Sequence, residues 1–210
     1  MSGAESTTHS PRLGTALSRQ AAVDAATRLY LAGEPVDMSA LATELGIGRS
    51  TLYRLVGNRE DLLATVLAEA TERTFRRAHA EVVAEAEAKG ESRGGTGFLL
   101  AVMDRFLNAV VDAKPLQAVS HREPLLIVRL MLLPGLVEQT AGRLVGELLD
   151  AEVAAGRMEL PLPTATFGLA LIRMCDAHLY APLLGGGAPE IGTALDLVAA
   201  LLGHSRSDED

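Results

Sequence analysis

Residues 37–56 read DMSALATELGIGRSTLYRLV, and the spacing inside this stretch decides how the N-terminal part of the chain folds. Asp37 stands just before a periodic segment, where a short carboxylate accepts from the unpaired N–H groups of a helix's first turn. A short helix is expected over Met38 to Leu45, with Leu41 and Leu45 one turn apart on its inner face. Gly46 stops it, because glycine adopts the left-handed conformation that a helix C-terminus needs. Ile47 is expected as a buried turn residue and Gly48 as the N-cap of a second helix, Arg49 to Val56. Two short helices joined by a glycine-bounded turn have the layout of a helix-turn-helix.

The second helix has two faces. Leu52, Leu55 and Val56 fall at i, i+3, i+4 and point one way, while the pairs Arg49/Tyr53 and Ser50/Arg54 lie one turn apart on the other side. That outer set holds the residue types that meet a major groove. Arginine forms two hydrogen bonds to a guanine edge, serine and threonine reach bases or phosphates, and tyrosine reaches a phosphate or a thymine methyl. The same spacing also suits a solvated polar face on an ordinary helical hairpin, so the pattern alone leaves both readings open.

Working outward, a helix is expected from Thr15 to Leu31, with Val23, Ala26 and Tyr30 as its apolar stripe and Gly33 and Pro35 ending it. Asn58 is placed to cap a long helix reaching Lys89. Residues 90–97 (GESRGGTG) read as a linker, and further helices are expected over 98–112, 124–133, 136–156, 164–184 and 189–203. The prolines fall near starts and turns, where a missing N–H costs little. Residues 1–14 are expected as a disordered arm and 205–210 as a polar tail, leaving a head over 15–57 and a body over 58–204.

Composition agrees with an all-α fold. Apolar residues make up 48% of the 210 and aromatics only 3%, so the core is built from Leu, Ala and Val, and strand-favouring aromatics are scarce. The net charge of −8 is unevenly placed: residues 1–57 hold five Arg against five acids, and the acid excess lies wholly beyond them. A polyanionic partner would therefore be met by the neutral head. The single Cys175 excludes an internal disulfide and is expected as a buried, inert thiol. No two of the five His stand four apart, and no metal or cofactor is expected. Residues 1–10 lack the basic and apolar blocks of a secretory signal, and the longest apolar run, Leu125 to Leu133, is broken by Arg129 and short of the ~20 residues a membrane span needs. A cytoplasmic setting is expected.

Residues 15–67 resemble the DNA-binding head of TetR-family regulators. The resemblance is carried by Leu41-Ala42, Gly46-Ile47, Thr51-Leu52-Tyr53 and Arg59-Glu60-Asp61-Leu62-Leu63. It implies that Arg49, Ser50, Thr51, Tyr53 and Arg54 face bases or neighbouring phosphates. It places Arg59, beside Asn58, where the family has a phosphate-contacting lysine, and it turns the backbone N–H groups of Met38 and Ser39 toward a phosphate. Two residues depart from the family pattern. Gly48 replaces a Ser or Thr cap, at a cost of a few tenths of ~1 kcal/mol, and Val56 replaces an aromatic.

The body resembles an actinobacterial, QsdR-like subgroup of the same family through Glu123-Pro124 and Arg129, through Gly156 to Pro161, and through Ile172-Arg173-Met174-Cys175-Asp176-Ala177-His178-Leu179-Tyr180. Asp176 stands where the subgroup has Glu. The resemblance implies a ligand-responsive repressor, a homodimer formed through about residues 164–203, double-stranded operator DNA as partner, and a small apolar, lactone-like effector. Phe167, Leu171, Met174 and His178 share one helical stripe, and Met103, Phe106 and Met131 from other helices are expected to converge on it as a ligand pocket. The alternative for these residues is plain core, with His178 hydrogen-bonded and Arg173 paired to an acid. Ile191, Leu195, Val198 and Leu202 form a second stripe, suited to pairing within or between subunits. An all-helical enzyme is the first rival reading, and it lacks a paired nucleophile and base. A helical protein that keeps the fold without binding DNA is the second.

Overall fold

The computed structural model describes residues 12–203; the tail over 205–210 and all but residues 12–14 of the expected arm lie outside them. Among the described residues there are ten α-helices, one 3-10 turn and no strand. The chain divides into two compact units after Leu63, inside the long fourth helix and beyond the residue-57 end of the expected head. Among the described residues no single helix is long and apolar enough to cross a membrane.

The first unit holds α1 (Arg12–Leu31), α2 (Met38–Glu44), α3 (Arg49–Val56) and the start of α4 (Arg59–Lys89). Residues 12–14 belong to α1, so the expected arm is shorter than its composition suggested. Ala22, Val23, Ala25, Ala26 and Tyr30 of α1 are buried, and α1 packs on both α2 and α3. Small side chains on α1 let α3 approach closely, and Leu41 and Leu52 are fully enclosed. The carboxylate of Asp37 accepts from the N–H groups of Ser39 (2.8 Å) and Ala40 (2.7 Å), capping α2. Gly46 takes φ +65°, and the next amide, of Ile47, donates back to Ala42 (3.0 Å), the six-residue closure that ends a helix at a left-handed residue. Ile47 is half-buried, not fully enclosed, because it lies in the turn itself. Asn58 and Asp61 cap α4 reciprocally: the Asp61 amide donates to Asn58 Oδ1 (3.0 Å) and the Asn58 amide to Asp61 Oδ2 (2.8 Å). Arg59 Nε donates to the Val36 carbonyl at 2.8 Å, which ties the first turn of α4 into this unit and accounts for the later boundary.

The second unit holds the rest of α4, then α5 (Gly95–Val111), α6 (Lys114–Arg122), α7 (Pro124–Leu132), α8 (Leu136–Ala154), α9 (Thr164–Leu179), the 3-10 turn Ala181–Leu184 and α10 (Ile191–Leu201). α6 was not expected from the sequence; it is a nine-residue helix with Pro115 in its first turn, too short to show a clear period. The expected helix over 164–184 ends at Leu179 and gives way to the 3-10 turn before Gly185, at φ +83°. The expected linker over 90–97 is shorter than its glycines suggested. α5 begins at Gly95, whose amide donates to the buried Glu152 carboxylate (2.6 Å), which Arg157 also holds at 2.7 and 3.0 Å.

The closest helix pair is α8 with α9. A Cβ on Gly168 would lie 2.6 Å from the Gly146 amide nitrogen and 2.7 Å from the Gly142 carbonyl oxygen, so the two backbones are in direct contact there. α10 packs against α9 and α5, burying Ala194, Leu195, Val198 and Ala199. The Leu195/Val198 stripe is therefore spent inside the subunit, while Leu197 and Leu201 of α10 stay exposed. α4 meets α5 through the edge-to-face rings Phe75/Phe106 (centroids 5.3 Å apart) and His79/Phe98 (5.7 Å).

Gly168→Ala is expected to destabilise the protein by about 3 kcal/mol, the upper end of what overpacking costs, because the added methyl meets backbone atoms that cannot rotate away. Gly192→Ala, with nothing within 4 Å of the new methyl, is expected to be neutral or stabilising by up to ~1 kcal/mol. Urea denaturation of the two variants beside the parent checks both.

Candidate nucleic-acid interface and ligand cavity

α3 presents Arg49, Ser50, Tyr53 and Arg54 to solvent and buries Leu52 and Val56, with Thr51 and Leu55 between. Tyr53 leaves 47% of its surface exposed, unusual for an aromatic ring in a chain with so few. No acidic residue lies on α3. Acids near it in sequence are engaged elsewhere: Glu44 pairs with Arg28 at 2.5 Å, Asp61 accepts from the Asn58 amide, and Asp37 caps α2. The outer face of α3 is therefore locally basic although the unit as a whole is neutral. Arg49 also reaches Ser39 Oγ at 3.4 Å, a weak link that sets it over the start of α2.

Three of the expected contact groups have other duties here. The Ser39 amide is taken by the Asp37 carboxylate, so it does not point freely outward. The Asn58 side chain caps α4 by accepting from Asp61. Arg59 Nε holds the Val36 carbonyl. Met38 has a buried side chain, so its contribution is limited to its backbone.

Two of the cavities in the second unit adjoin each other. The outer one, about 480 Å³, opens between the end of α5, α6 and the 3-10 turn, and Leu116, Gln117, His121, Pro182 and Leu183 are among its walls. The inner one, about 20 Å³, is enclosed by α4, α5, α7, α8 and α9. Val110, Leu179 and Tyr180 line both. The residues expected at a ligand pocket fall in different places. Phe106 and Met131 line the inner cavity, whereas Met103, Phe167, Leu171, Met174 and His178 line neither. Met103 and Leu171 are fully enclosed core residues, and Phe167 is buried. His178 Nδ1 lies 3.2 Å from Glu190 Oε2, and the Glu190 amide donates to the His178 carbonyl, so this histidine anchors the segment before α10. The stripe points at neighbouring helices because α9 is packed on several sides, which periodicity along one helix cannot reveal.

The inner cavity ends on acids. Glu138 is buried and accepts from Arg173 Nε at 2.6 Å. Asp176, one turn along α9, takes no side-chain hydrogen bond among the described residues. Burial pushes its carboxyl from 3.8 up to about 7, with the Glu138 charge adding to the rise. Burial likewise pushes the neighbouring Cys175 thiol up to about 12, which keeps it protonated and unreactive. Sequence reasoning singled out Asp176 only as a departure from a pattern. The available signal was an acid flanked by Met174, Cys175 and Ala177, three residues after Arg173.

A family model described as the tetracyclin repressor-like C-terminal domain matches residues 94–203. The structure of the R. erythropolis transcriptional repressor QsdR, of the TetR family, superposes with a TM-score of 0.85 at 46% identity, covering 91% of this chain and 97% of that one. The fatty acid degradation regulator FadR from Bacillus halodurans gives a TM-score of 0.49 at 17% identity over 93% of this chain and 96% of its own, a likeness too slight to bear on function. No curated protein matches the sequence.

The raised Asp176 carboxyl has a thermodynamic consequence. Between pH 3.8 and about 7 the folded chain holds a proton there that the unfolded chain has lost, so stability falls as pH rises through that window. Asp176→Asn is expected to remove this slope and to leave the variant more stable than the parent above pH 7. Glu152, whose carboxyl Arg157 and the Gly95 amide hold below its ordinary 4.5, acts on the acid side of the window. Denaturant midpoints at pH 5, 6, 7 and 8 for parent and variant test the assignment.

Proposed function

The chain belongs to the TetR family, and from that premise we propose that it is a transcriptional repressor that binds operator DNA as a homodimer and releases it when a small apolar effector occupies its body. The carrying observation is the outer face of α3: exposed, free of acids, and furnished with Arg49, Ser50, Tyr53 and Arg54 at the positions where the family meets DNA. Arg49 and Arg54 supply the forked donors that read guanine edges, with Ser50, Thr51 and Tyr53 beside them. Arg59, the Met38 amide and the exposed ends of Ser39 and Asn58 serve the phosphates on either side. This division suits a head with no net charge, in which base contacts and dimer geometry supply what nonspecific attraction does not.

The dimer follows from the same logic. One head reads a few base pairs, and two heads reach successive major grooves only when held about 34–36 Å apart. Within residues 164–203 the exposed large apolar residues are Leu184 and, on α10, Leu197 and Leu201, and α9 carries the small exposed residues Ala170 and Ala177. The effector enters the outer cavity, whose volume of about 480 Å³ falls in the range of small-molecule sites. Release requires that the effector bind one arrangement of the two heads better than the other. Such a regulator works in the cytoplasm, where the DNA is, and carries out no catalysis.

Band shifts on the protein's own promoter DNA test the reading. Arg49→Ala is expected to weaken specific binding at least tenfold, as about 1–3 kcal/mol per guanine contact implies, with the helical far-UV signal unchanged. Unaltered affinity would remove α3 from the reading face. Leu197→Glu with Leu201→Glu is expected to give a monomer in sedimentation and to abolish the shift at nanomolar protein. A dimer that persists would move the interface elsewhere, and an intact parent dimer that shifts no promoter DNA at low salt would overturn the repressor reading.

A further inference from the structure

The inner cavity is chemically lopsided. Phe106, Met131 and Ile172 make it apolar, yet two carboxyls, Asp176 and Glu138, stand at it, and no Lys, Arg or His lines it. Arg173 answers Glu138 from outside, with 54% of its side chain in solvent. Among the described residues no side chain donates to Asp176. The hydroxyl-bearing Thr71 of α4 is also in the wall. Asp176 is half-buried, and an acid held at an apolar cavity without a donor carries a desolvation cost that a cationic group would offset.

We propose that this cavity seats an ammonium group: the effector is an amphipathic amine, its –NH3⁺ against Asp176 and its apolar chain in the outer cavity. The inference rests on the reading of the body as an effector-binding unit and names the head group that this unit selects. Size supports it. The inner cavity, about 20 Å³, holds one water-sized group, and an ammonium is that size. A lactone ring or a carboxylate is larger. Charge supports it as well: an ammonium donates three hydrogen bonds and favours the ionised form of Asp176, whereas a carboxylate head would add a negative charge beside Glu138. The position supports it, because Val110, Leu179 and Tyr180 line both cavities, so an apolar chain in the outer one lies against residues that also border Asp176's cavity.

Isothermal titration of the full-length protein with octylamine, octan-1-ol, octanoate and γ-octalactone tests this. Octylamine is expected to bind at least tenfold more tightly than octan-1-ol, and octanoate to bind most weakly. Asp176→Asn is expected to cost octylamine at least tenfold while octan-1-ol stays within twofold, which also shows that the variant keeps its cavity. The amine is overturned if octan-1-ol or γ-octalactone binds as tightly as octylamine, or if Asp176→Asn leaves octylamine's affinity unchanged. Binding of the alcohol or lactone with loss of the operator band shift would sink the amine and leave the effector-binding reading standing. Failure of all four to bind would remove both.

Discussion

The body of this protein depends on how near α8 and α9 come to each other. Gly142 and Gly146 on α8 meet Gly168 on α9 backbone to backbone, with no room for a methyl group between them. The register continues at both ends at four-residue steps along α8. Asp150 accepts from Thr164 Oγ1 at 2.5 Å on one side of the glycines, and Glu138 accepts from Arg173 on the other. The helices run antiparallel, so the contact that excludes side chains in the middle sets polar partners at the two ends. Glycine within a helix costs roughly 0.5–1 kcal/mol against alanine, and here the close approach offsets that cost through packing.

From this seam follows the position of the acids. With α9 held against α8, Glu138 is buried and must be met by Arg173, since an unpaired charge there would be far more costly than the pair is worth. Asp176 comes one turn later, past the reach of that arginine, and stays near neutral with a carboxyl at about 7. The numerous exposed ion pairs elsewhere, such as Arg143 with Glu147 and Arg105 with Glu81 and Glu85, have a different standing. They lie in solvent, contribute at most about 1 kcal/mol each, and keep an acid-rich surface soluble. The clamp of Glu152 on Arg157 and the Gly95 amide does more, because its carboxylate is almost wholly enclosed and fixes where α5 begins.

The head was legible because its determinants are local. Asp37, Gly46 and Asn58 act through hydrogen bonds or backbone angles within a few residues, and the structure places each where its chemistry requires. The two faces of α3 follow from a helical period in eight residues. The body's helices were mostly legible for the same reason, apart from α6, where one short amphipathic turn and a proline gave too little period. The cavity was not legible. Phe106 and Met131 were anticipated at it, but His178 turned to Glu190 and Leu171 to the core, because a residue on a central helix faces whichever neighbour tertiary packing supplies.

The sequence by itself thus determined the all-helical class, the capped helices of the head and the polar outer face of Arg49, Ser50, Tyr53 and Arg54, since turn chemistry and helical period act over one or two turns. Tertiary structure alone decided that three glycines bring α8 onto α9, that the Leu195/Val198 stripe is spent inside the subunit while Leu197 and Leu201 remain outside, and that Asp176 is left without a partner at an apolar cavity. Each of these depends on which helices become neighbours, and that is set by the sum of many weak contacts across the whole chain, not by any local run of residues.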